Sequence, residues 1–368
     1  MSVTVRSFAK INLGLRIGAL RPDGFHDLRT VYQTIALHDI VRVKVDRGAG
    51  IEIRCEDPRV PKDESNTCYR IIERAITALK VRGRVVVGIE KCLPVQGGLG
   101  GASSNAVAAL VALERAVKKS LPALERLRIA AEVGSDLPLF LVGGTVLGVG
   151  RGEEVYPLPD LPATSCVIAT PDVGVSTPRA FAAWDAKAAG IQRGCHSEPA
   201  SAGEESAFSA LRDADSSGDK SPLGMTSVTD VSKLTICDPS GRITEFGRVL
   251  SAWLSGYQTK SGKVYSGVPG GVGGRAEILL LDRVRTGIEN DFEQVVFPKY
   301  PELREVKRTL ARAGAFYASL SGSGSATYGL FGSRKAAEKA AARMRKDGIQ
   351  AMVTTTLTRR EYWKKFLV

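Results

Sequence analysis

The sequence has few of the residues that build metal centres and disulfide frameworks. Its 368 residues include six cysteines and three histidines. The cysteines are scattered without a Cys-x-x-Cys pair, so neither a structural zinc site nor a disulfide framework is expected. Three histidines are also too few for a multi-histidine metal site. We expect most of the cysteines to be buried thiols.

Long apolar runs and familiar catalytic signatures are also missing. No stretch reaches the roughly 18 apolar residues that a membrane-spanning helix needs. The first residues, MSVTVRSFAKINLGLRIG, alternate polar and apolar types and lack the apolar core of a signal peptide. We therefore expect a cytoplasmic protein that does not bind membranes. No Ser/His/Asp set stands out, and no glycine loop ends in Gly-Lys-Ser/Thr.

Positive charge is in excess. The chain has 51 basic and 39 acidic residues, a formal charge of +12. Such a balance favours polyanionic partners, among them nucleic acid, anionic lipid and nucleotide phosphates. Two segments near the C-terminus, GSRKAAEKAAARMRKDG and RREYWKKF, hold much of the excess. Because the first lacks interleaved aromatic residues, we interpret it as an amphipathic helix with a solvated basic face, and expect no nucleic-acid partner.

One glycine-rich loop is the main candidate for a binding site. The stretch Val95 to Leu110, VQGGLGGASSNAVAAL, follows a predicted strand, RVVVGIEKCLP, and opens a predicted helix that Ser103 or Ser104 could cap. Successive backbone N–H groups in such a turn form an anion nest, and the helix N-terminus adds positive potential. The alternative is a tight strand-to-helix connection without a ligand. The apolar face of the helix is formed by Ala106, Leu110, Leu113 and Val117.

Two charged residues could complete a phosphate site. In AKINLGLRI, apolar and polar residues alternate, so Lys10 and Asn12 project from the same face of a strand. That face is either solvated or lines a cleft, where an unpaired lysine would need an anion. In GSDLPLF, Asp136 lies between a predicted helix and an apolar run. We interpret this segment as a turn followed by a hairpin, so Asp136 is either a cleft residue or an ordinary turn residue.

Two further turns are candidates. DGFHDL follows a Pro-Asp-Gly turn signal and offers Phe25 and His26, which could recognise a base or simply pack. SLSGSGSATYGLF predicts a strand, a glycine-serine turn and a strand, whose tip is either a plain hairpin or a second phosphate-contacting loop.

The order of elements indicates an α+β fold in two domains. Strands dominate the first sixty residues, and a helix, a hairpin, a helix and a strand follow one another near the end. We place an N-terminal domain, which contains the glycine-rich loop, at 1–165 and a C-terminal domain at 166–368. The segment of about 187–228 is rich in Ala, Ser, Gly and Asp without a sustained period, so we interpret it as a flexible insertion.

Taken together and in this order, the motifs resemble those of the GHMP small-molecule kinases. PVQGGLGGASSNA is similar to their second motif and SLSGSGSATYGLF to their third. Within that superfamily, AKINLGLRIGALRPDGFHDLRTVYQTIALHD resembles the N-terminal signature of the 4-diphosphocytidyl-2-C-methyl-D-erythritol kinases. Segments GSDLPLFLVGGTVLGVGRGEEV, VGVSTPRAF and ENDFEQVVFPKYPEL are also similar. The resemblance covers residues 2 to about 184 and about 286 to the end.

The resemblance implies a ribosomal S5 domain 2-like N-terminal domain and a ferredoxin-like C-terminal domain, with the site between them. It implies transfer of a phosphoryl group from ATP, with Mg²⁺, to the 2-hydroxyl of 4-diphosphocytidyl-2-C-methyl-D-erythritol, in the non-mevalonate route to isoprenoid precursors. The substrate would be a small molecule, and we expect a monomer or weak homodimer.

The resemblance also assigns roles by motif. Lys10 and Asp136 would be the catalytic pair, Phe25 and His26 would contact the cytosine, and Asn12 would lie beside the acceptor. No metal ligands are assigned. The ATP-binding residues would be Asn66, Pro94, Val95, Gln96, Gly97, Gly98, Leu99, Gly100, Gly101, Ala102, Ser103 and Ser104.

Two positions depart from the family pattern. The family usually has Tyr where this chain has Phe25, so stacking is kept and the phenol hydrogen bond is lost. Ala102 replaces the Gly or Ser common in the second motif.

The closest rival function is that of a GHMP kinase acting on homoserine or a mevalonate-type acceptor. Those kinases lack the Arg-Pro-Asp-Gly-aromatic-His turn. A second rival, of another class, is a nucleotide- or RNA-binding protein without activity.

Overall fold

A computed structural model describes residues 2–95, 97–195 and 289–368 of the chain. The elements in chain order are β1 (Ser2–Leu20), β2 (His26–Asp46), β3 (Ile51–Cys55), α1 (Thr67–Leu79), β4 (Arg84–Glu90), α2 (Gly101–Val117), α3 (Ala123–Val133), α4 (Leu137–Val142), β5 (Thr145–Val149), β6 (Glu154–Pro157), β7 (Ser165–Thr170), α5 (Thr177–Cys195), α6 (Glu293–Lys299), α7 (Pro301–Arg312), β8 (Tyr317–Leu320), β9 (Thr327–Phe331), α8 (Arg334–Lys346), β10 (Gln350–Thr355) and α9 (Arg359–Phe366).

The first sheet is organised around a long β1–β2 hairpin. Its strand order is β3-β4-β2-β5-β6, with β1 paired to β2. The register sets Lys10 opposite Thr34 and Asn12 opposite Tyr32. The predicted turn joins the two strands at Gly24, whose φ of +81° lies in the left-handed region that favours glycine. Both faces of β1 are buried from Ser7 to Leu15, so its polar face is covered and not solvated.

Helices α1 to α4 cover this sheet. The predicted apolar face of α2 is buried against α1 and the strands. Asn66 caps α1, because its side chain accepts from the Cys68 N–H at 2.8 Å. The prediction that Ser103 or Ser104 caps α2 is wrong. The N-cap is Gly100, which makes no side-chain capping bond and has a φ of +70°.

The second sheet is entirely antiparallel, in the order β10-β7-β9-β8. The predicted order of helix, hairpin, helix and strand is observed near the end of the chain as α7, β8–β9, α8 and β10, so that prediction is confirmed. Both helices pack on the sheet through a separate apolar cluster, which includes Leu310, Phe331 and Met344. The two sheets and their helices confirm the α+β class. Met344 lies on the buried face of α8, whose basic residues are largely exposed as predicted.

The segment around Asp136 differs from the prediction of a turn followed directly by a hairpin. A short helix, α4, begins immediately after Asp136 and precedes the β5–β6 hairpin. The last helix of the chain, α9, returns to the first sheet and packs on α4. Tyr362 of α9 is fully buried and donates its hydroxyl to the Phe140 carbonyl oxygen at 2.8 Å. The C-terminus therefore supports the helix that positions Asp136.

Several sequence expectations concern residues at the edge of the described ranges. The predicted insertion begins inside α5, and from residue 196 to 228 it lies outside the described residues.

Four cysteines can be compared with the expectation of buried thiols. Cys55, Cys68 and Cys166 are buried and Cys92 is exposed, and none of these four forms a disulfide. Within the described ranges, no helix is both long and apolar enough to cross a membrane.

We expect Tyr362→Ala to lower the free energy of unfolding by about 3–5 kcal/mol, because it leaves a cavity under α4. Tyr362→Phe keeps the ring and removes only the hydrogen bond to Phe140, so about 1 kcal/mol should be lost. Urea unfolding of both variants measures the difference. Equal losses would show that the ring of Tyr362 does not support the first sheet.

Candidate active site

Lys10 is the buried cation of the site. It projects from β1, its backbone N–H donates to Leu99 O at 2.9 Å, and its side chain is 4% exposed. Its ammonium donates to Asn12 Oδ1 at 2.6 Å and lies 3.6 Å from Asp136 Oδ2. Burial lowers the pKa of Lys10, and the neighbouring Asp136 carboxylate partly opposes that shift. The structure therefore buries the ammonium of Lys10 between an amide oxygen and a carboxylate.

Asp136 is held from one side and open on the other. Tyr32 donates its hydroxyl to Asp136 Oδ1 at 2.9 Å, while Oδ2 faces the ammonium of Lys10. The side chain of Asp136 is 34% exposed, so a hydroxyl from solvent or a ligand can reach it. Burial, and then the Asp136 charge, raise the pKa of Tyr32 well above its ordinary value, so Tyr32 remains a donor. Sequence reasoning missed Tyr32.

The glycine-rich loop lies directly against Lys10. A Cβ on Gly100 would be 3.0 Å from Lys10 Cγ and 2.9 Å from Phe140 Cζ. A Cβ on Gly98, where φ is +74°, would be 2.1 Å from Ser321 O. These glycines are therefore required by close packing as well as by any phosphate that the backbone would bind.

The second glycine-rich hairpin joins the same cleft. Ser321 donates its hydroxyl to Gly98 O at 2.9 Å, and Ala326 N–H donates to Gly97 O at 3.1 Å. A Cβ on Gly322 would be 3.5 Å from Lys10 Nζ. The structure thus brings together β1, the glycine loop, the β8–β9 hairpin and the start of α4, as the motifs predicted.

A cavity of about 350 Å³ lies beside the glycine loop. That volume is within the range of small-molecule sites. Ser104 does not line it, because its hydroxyl is buried and accepts from Ser7 at 2.7 Å. Gln96 lies outside the described residues. The predicted ATP-binding residues that line the cavity are Asn66, Pro94, Val95, Gly97, Gly98, Leu99, Gly100, Gly101, Ala102 and Ser103.

Asp39 organises the chain before this loop, and no local sequence pattern marks it. The carboxylate is fully buried within β2 and accepts from the N–H groups of Cys92 and Leu93, both at 2.7 Å. It also accepts from Lys91 Nζ at 2.5 Å and from Asn105 Nδ2 at 3.0 Å. Lys91 lines the cavity, so a second cation, paired with Asp39, borders the glycine loop.

Phe25 and His26 are adjacent in sequence but have different surroundings. Phe25 is 50% exposed, and the Arg151 guanidinium lies 5.0 Å from its ring centroid. His26 is buried, with its ring stacked on Phe181 at a centroid distance of 5.1 Å. Its Nε2 lies 2.7 Å from Asp185 Oδ1. Sequence reasoning did not single out Asp185, and it included Arg151 and Phe181 only as parts of motifs.

The described residues contain no group of three or more His, Cys, Asp and Glu side chains arranged to hold a metal.

Two regions of the chain match family descriptions: residues 66–144 match the N-terminal domain of GHMP kinases, and 277–350 match the GHMP kinase C-terminal region. Two curated relatives carry the name 4-diphosphocytidyl-2-C-methyl-D-erythritol kinase. The protein of Solibacter usitatus is 33% identical over 90% of this chain and 82% of its own. That of Desulfitobacterium hafniense is 31% identical over 97% of both chains.

The chain belongs to the family of 4-diphosphocytidyl-2-C-methyl-D-erythritol kinases. It is therefore a small-molecule kinase of the GHMP type, and the resemblance found in its motifs is confirmed. ATP is the phosphoryl donor that the family implies.

Solved structures agree on the fold. A crystal structure of 4-(cytidine 5'-diphospho)-2C-methyl-D-erythritol kinase has a TM-score of 0.62 and 24% identity, covering 97% of this chain and 99% of its own. A homoserine kinase from Cytophaga hutchinsonii has the same TM-score, 0.62, at 19% identity, covering 97% and 95%. Because the two score equally, the fold alone does not separate these kinases, and the sequence relatives decide the family.

We predict that the pKa of Lys10 lies below 10.5 and falls further in Asp136→Asn, because that variant removes the anion that opposes the effect of burial. NMR titration of the lysine Cε–Hε resonances measures both values. Asp46→Asn, which removes an exposed carboxylate paired with Lys44, should leave Lys10 unchanged. A Lys10 pKa at or above 10.5, or one that Asp136→Asn does not move, would contradict this electrostatic account.

Proposed function

We propose that the protein phosphorylates the 2-hydroxyl of 4-diphosphocytidyl-2-C-methyl-D-erythritol with ATP, in the non-mevalonate route to isoprenoid precursors. The observation that carries the proposal is the contact of Lys10 and Asp136 beside the glycine loop, in a chain whose relatives bear this name. Phosphoryl transfer needs mainly positioning and charge stabilisation from a protein. A buried ammonium, a partly exposed carboxylate and the backbone N–H groups at the N-terminus of α2 can supply both.

Lys10 and Asp136 are assigned the catalytic roles. The ammonium of Lys10 stabilises negative charge on the transferred phosphoryl group, where burial strengthens its field. Asp136 accepts a hydrogen bond from the acceptor hydroxyl and orients it, and its carboxylate is available to take the proton. Asn12, bonded to Lys10 through Oδ1 and to the Thr30 hydroxyl through Nδ2, fixes the ammonium beside the acceptor.

ATP is assigned to the cavity beside the glycine loop. Its phosphates would lie on the backbone of Gly97 to Gly101 at the N-terminus of α2. Asn66 shapes the cavity wall, because its side chain is committed to Cys68 N and Pro61 O. The loop residues proposed to contact ATP, with Asn66 and the buried Ser104 in support, are Pro94, Val95, Gln96, Gly97, Gly98, Leu99, Gly100, Gly101, Ala102 and Ser103.

Mg²⁺ is proposed to enter with ATP. It prefers hard oxygen ligands and is commonly held by one or two protein groups together with phosphates. The Ser103 hydroxyl at the cavity fits that donor set, whereas the Ser104 hydroxyl is already bonded to Ser7. When bound, the ion would neutralise charge on the phosphates of ATP.

The acceptor end is proposed to lie at the β1–β2 turn, where Phe25 and His26 would contact the cytosine. The exposed ring of Phe25 beside Arg151 offers a stacking surface and a cation for a nucleoside diphosphate. The domain limits 1–165 and 166–368 and the monomeric or weakly dimeric state stay predictions. So do the cytoplasmic location and the expected lack of nucleic-acid binding.

An acceptor panel tests the proposed function. ATP consumption by the wild-type protein is measured with 4-diphosphocytidyl-2-C-methyl-D-erythritol, homoserine and mevalonate. We expect kcat/KM for the cytidine-linked acceptor to exceed the other two by at least about 10²-fold, because polar groups built to bind one acceptor are left unpaired by another. Turnover of homoserine or mevalonate alone would overturn the proposal.

A further inference from the structure

The imidazole of His26 is held on two sides by one helix. Phe181 and Asp185 are four residues apart on α5, so they lie on the same face one turn apart. Phe181 covers the ring face, with an interplanar angle of 10°. Asp185 engages the ring edge through Oδ1, 2.7 Å from Nε2.

Helix α5 is itself anchored, so this arrangement is fixed relative to the fold. Trp184 is buried in a cluster with Phe292, the N-cap residue of α6, and Lys187 donates to Gln294 Oε1 at 2.9 Å. Asp185 remains 49% exposed, while the side chain of His26 is only 6% exposed. The acidic residue therefore contacts a buried ring from the solvent side.

The bond to Asp185 decides which nitrogen carries the proton. An ionised carboxylate has acceptor sites only, so Nε2 of His26 must donate. In the neutral ring, Nδ1 is then left without a proton and is a hydrogen-bond acceptor. Nδ1 makes no hydrogen bond to any residue in the ranges 2–95, 97–195 and 289–368.

We propose that Asp185 is a positioning residue which fixes His26 as an acceptor at Nδ1 and so selects an acceptor substrate whose base carries an exocyclic amine. The proposal rests on the proposed function, in which His26 contacts the base. Cytosine presents an amino group where uracil presents a carbonyl oxygen. An acceptor at Nδ1 binds the amine and repels the carbonyl, so the cytidine-linked substrate is preferred over its uridine-linked analogue.

Two variants of Asp185 test this assignment. Asp185→Asn lets the amide either donate to or accept from Nε2, and Asp185→Ala removes the partner. Because Asp185 is half exposed, both variants should fold. The matched control is Asp27→Asn. Asp27 follows His26 in the sequence, and its exposed carboxylate pairs with Arg21.

The first readout is the tautomer itself. The chain has only three histidines, so ¹⁵N resonances of His26 are assigned by comparison with His26→Gln. At pH 8.5, about two units above the ordinary pKa of an imidazole, we expect the proton on Nε2 in the wild type and in Asp27→Asn. The Asp185 variants should show a mixture of tautomers. A wild-type ring protonated mainly at Nδ1, or no change in the variants, would overturn the proposal.

The second readout is the ratio of kcat/KM for the cytidine-linked substrate to that for its uridine-linked analogue. We expect the ratio to fall about 10-fold or more in Asp185→Ala and Asp185→Asn, because the analogue is no longer repelled. The ratio should be unchanged in Asp27→Asn. Equal use of both substrates by the wild type overturns the Asp185 proposal alone, whereas turnover of neither overturns the proposed function.

Discussion

The buried ammonium of Lys10 is the constraint on which the rest of the cleft depends. A charge with 4% exposure is costly unless nearby groups bond to it. Asn12 and Asp136 supply that contact, and the Asp136 carboxylate opposes the lowering of the Lys10 pKa by burial. The field of a buried ammonium is stronger than that of one in water, which suits a site that stabilises the charge of a phosphoryl group.

The surrounding structure is built to keep that ammonium in place. Gly100 has no room for a Cβ because Lys10 and Phe140 lie against it, so the glycine loop and the lysine are packed as one unit. Phe140 belongs to α4, which begins after Asp136 and is supported by Tyr362 of the last helix. Chain segments that are far apart in sequence therefore converge on one carboxylate–ammonium pair.

Local patterns predicted much of this arrangement. Alternation in β1 put Lys10 and Asn12 on one face, and glycine spacing marked both loops, because such signals depend on neighbouring residues. Pattern could not show that the polar face is buried, since other segments cover it. Nor could it find Tyr32 or Asp185, whose partners are 104 and 159 residues away. The predicted cap at Ser103 or Ser104 is wrong because α2 begins at Gly101, so both serines lie inside the helix.

The central claim is that Lys10 and Asp136 perform the transfer while the glycine loop binds ATP. It is tested most directly by kcat and ATP affinity in Asp136→Asn, with Asp46→Asn as the control. The account predicts that kcat falls by about 10²–10⁴-fold, as expected for loss of a group that handles the reacting proton, while ATP binding is retained. A variant with wild-type kcat would contradict the account.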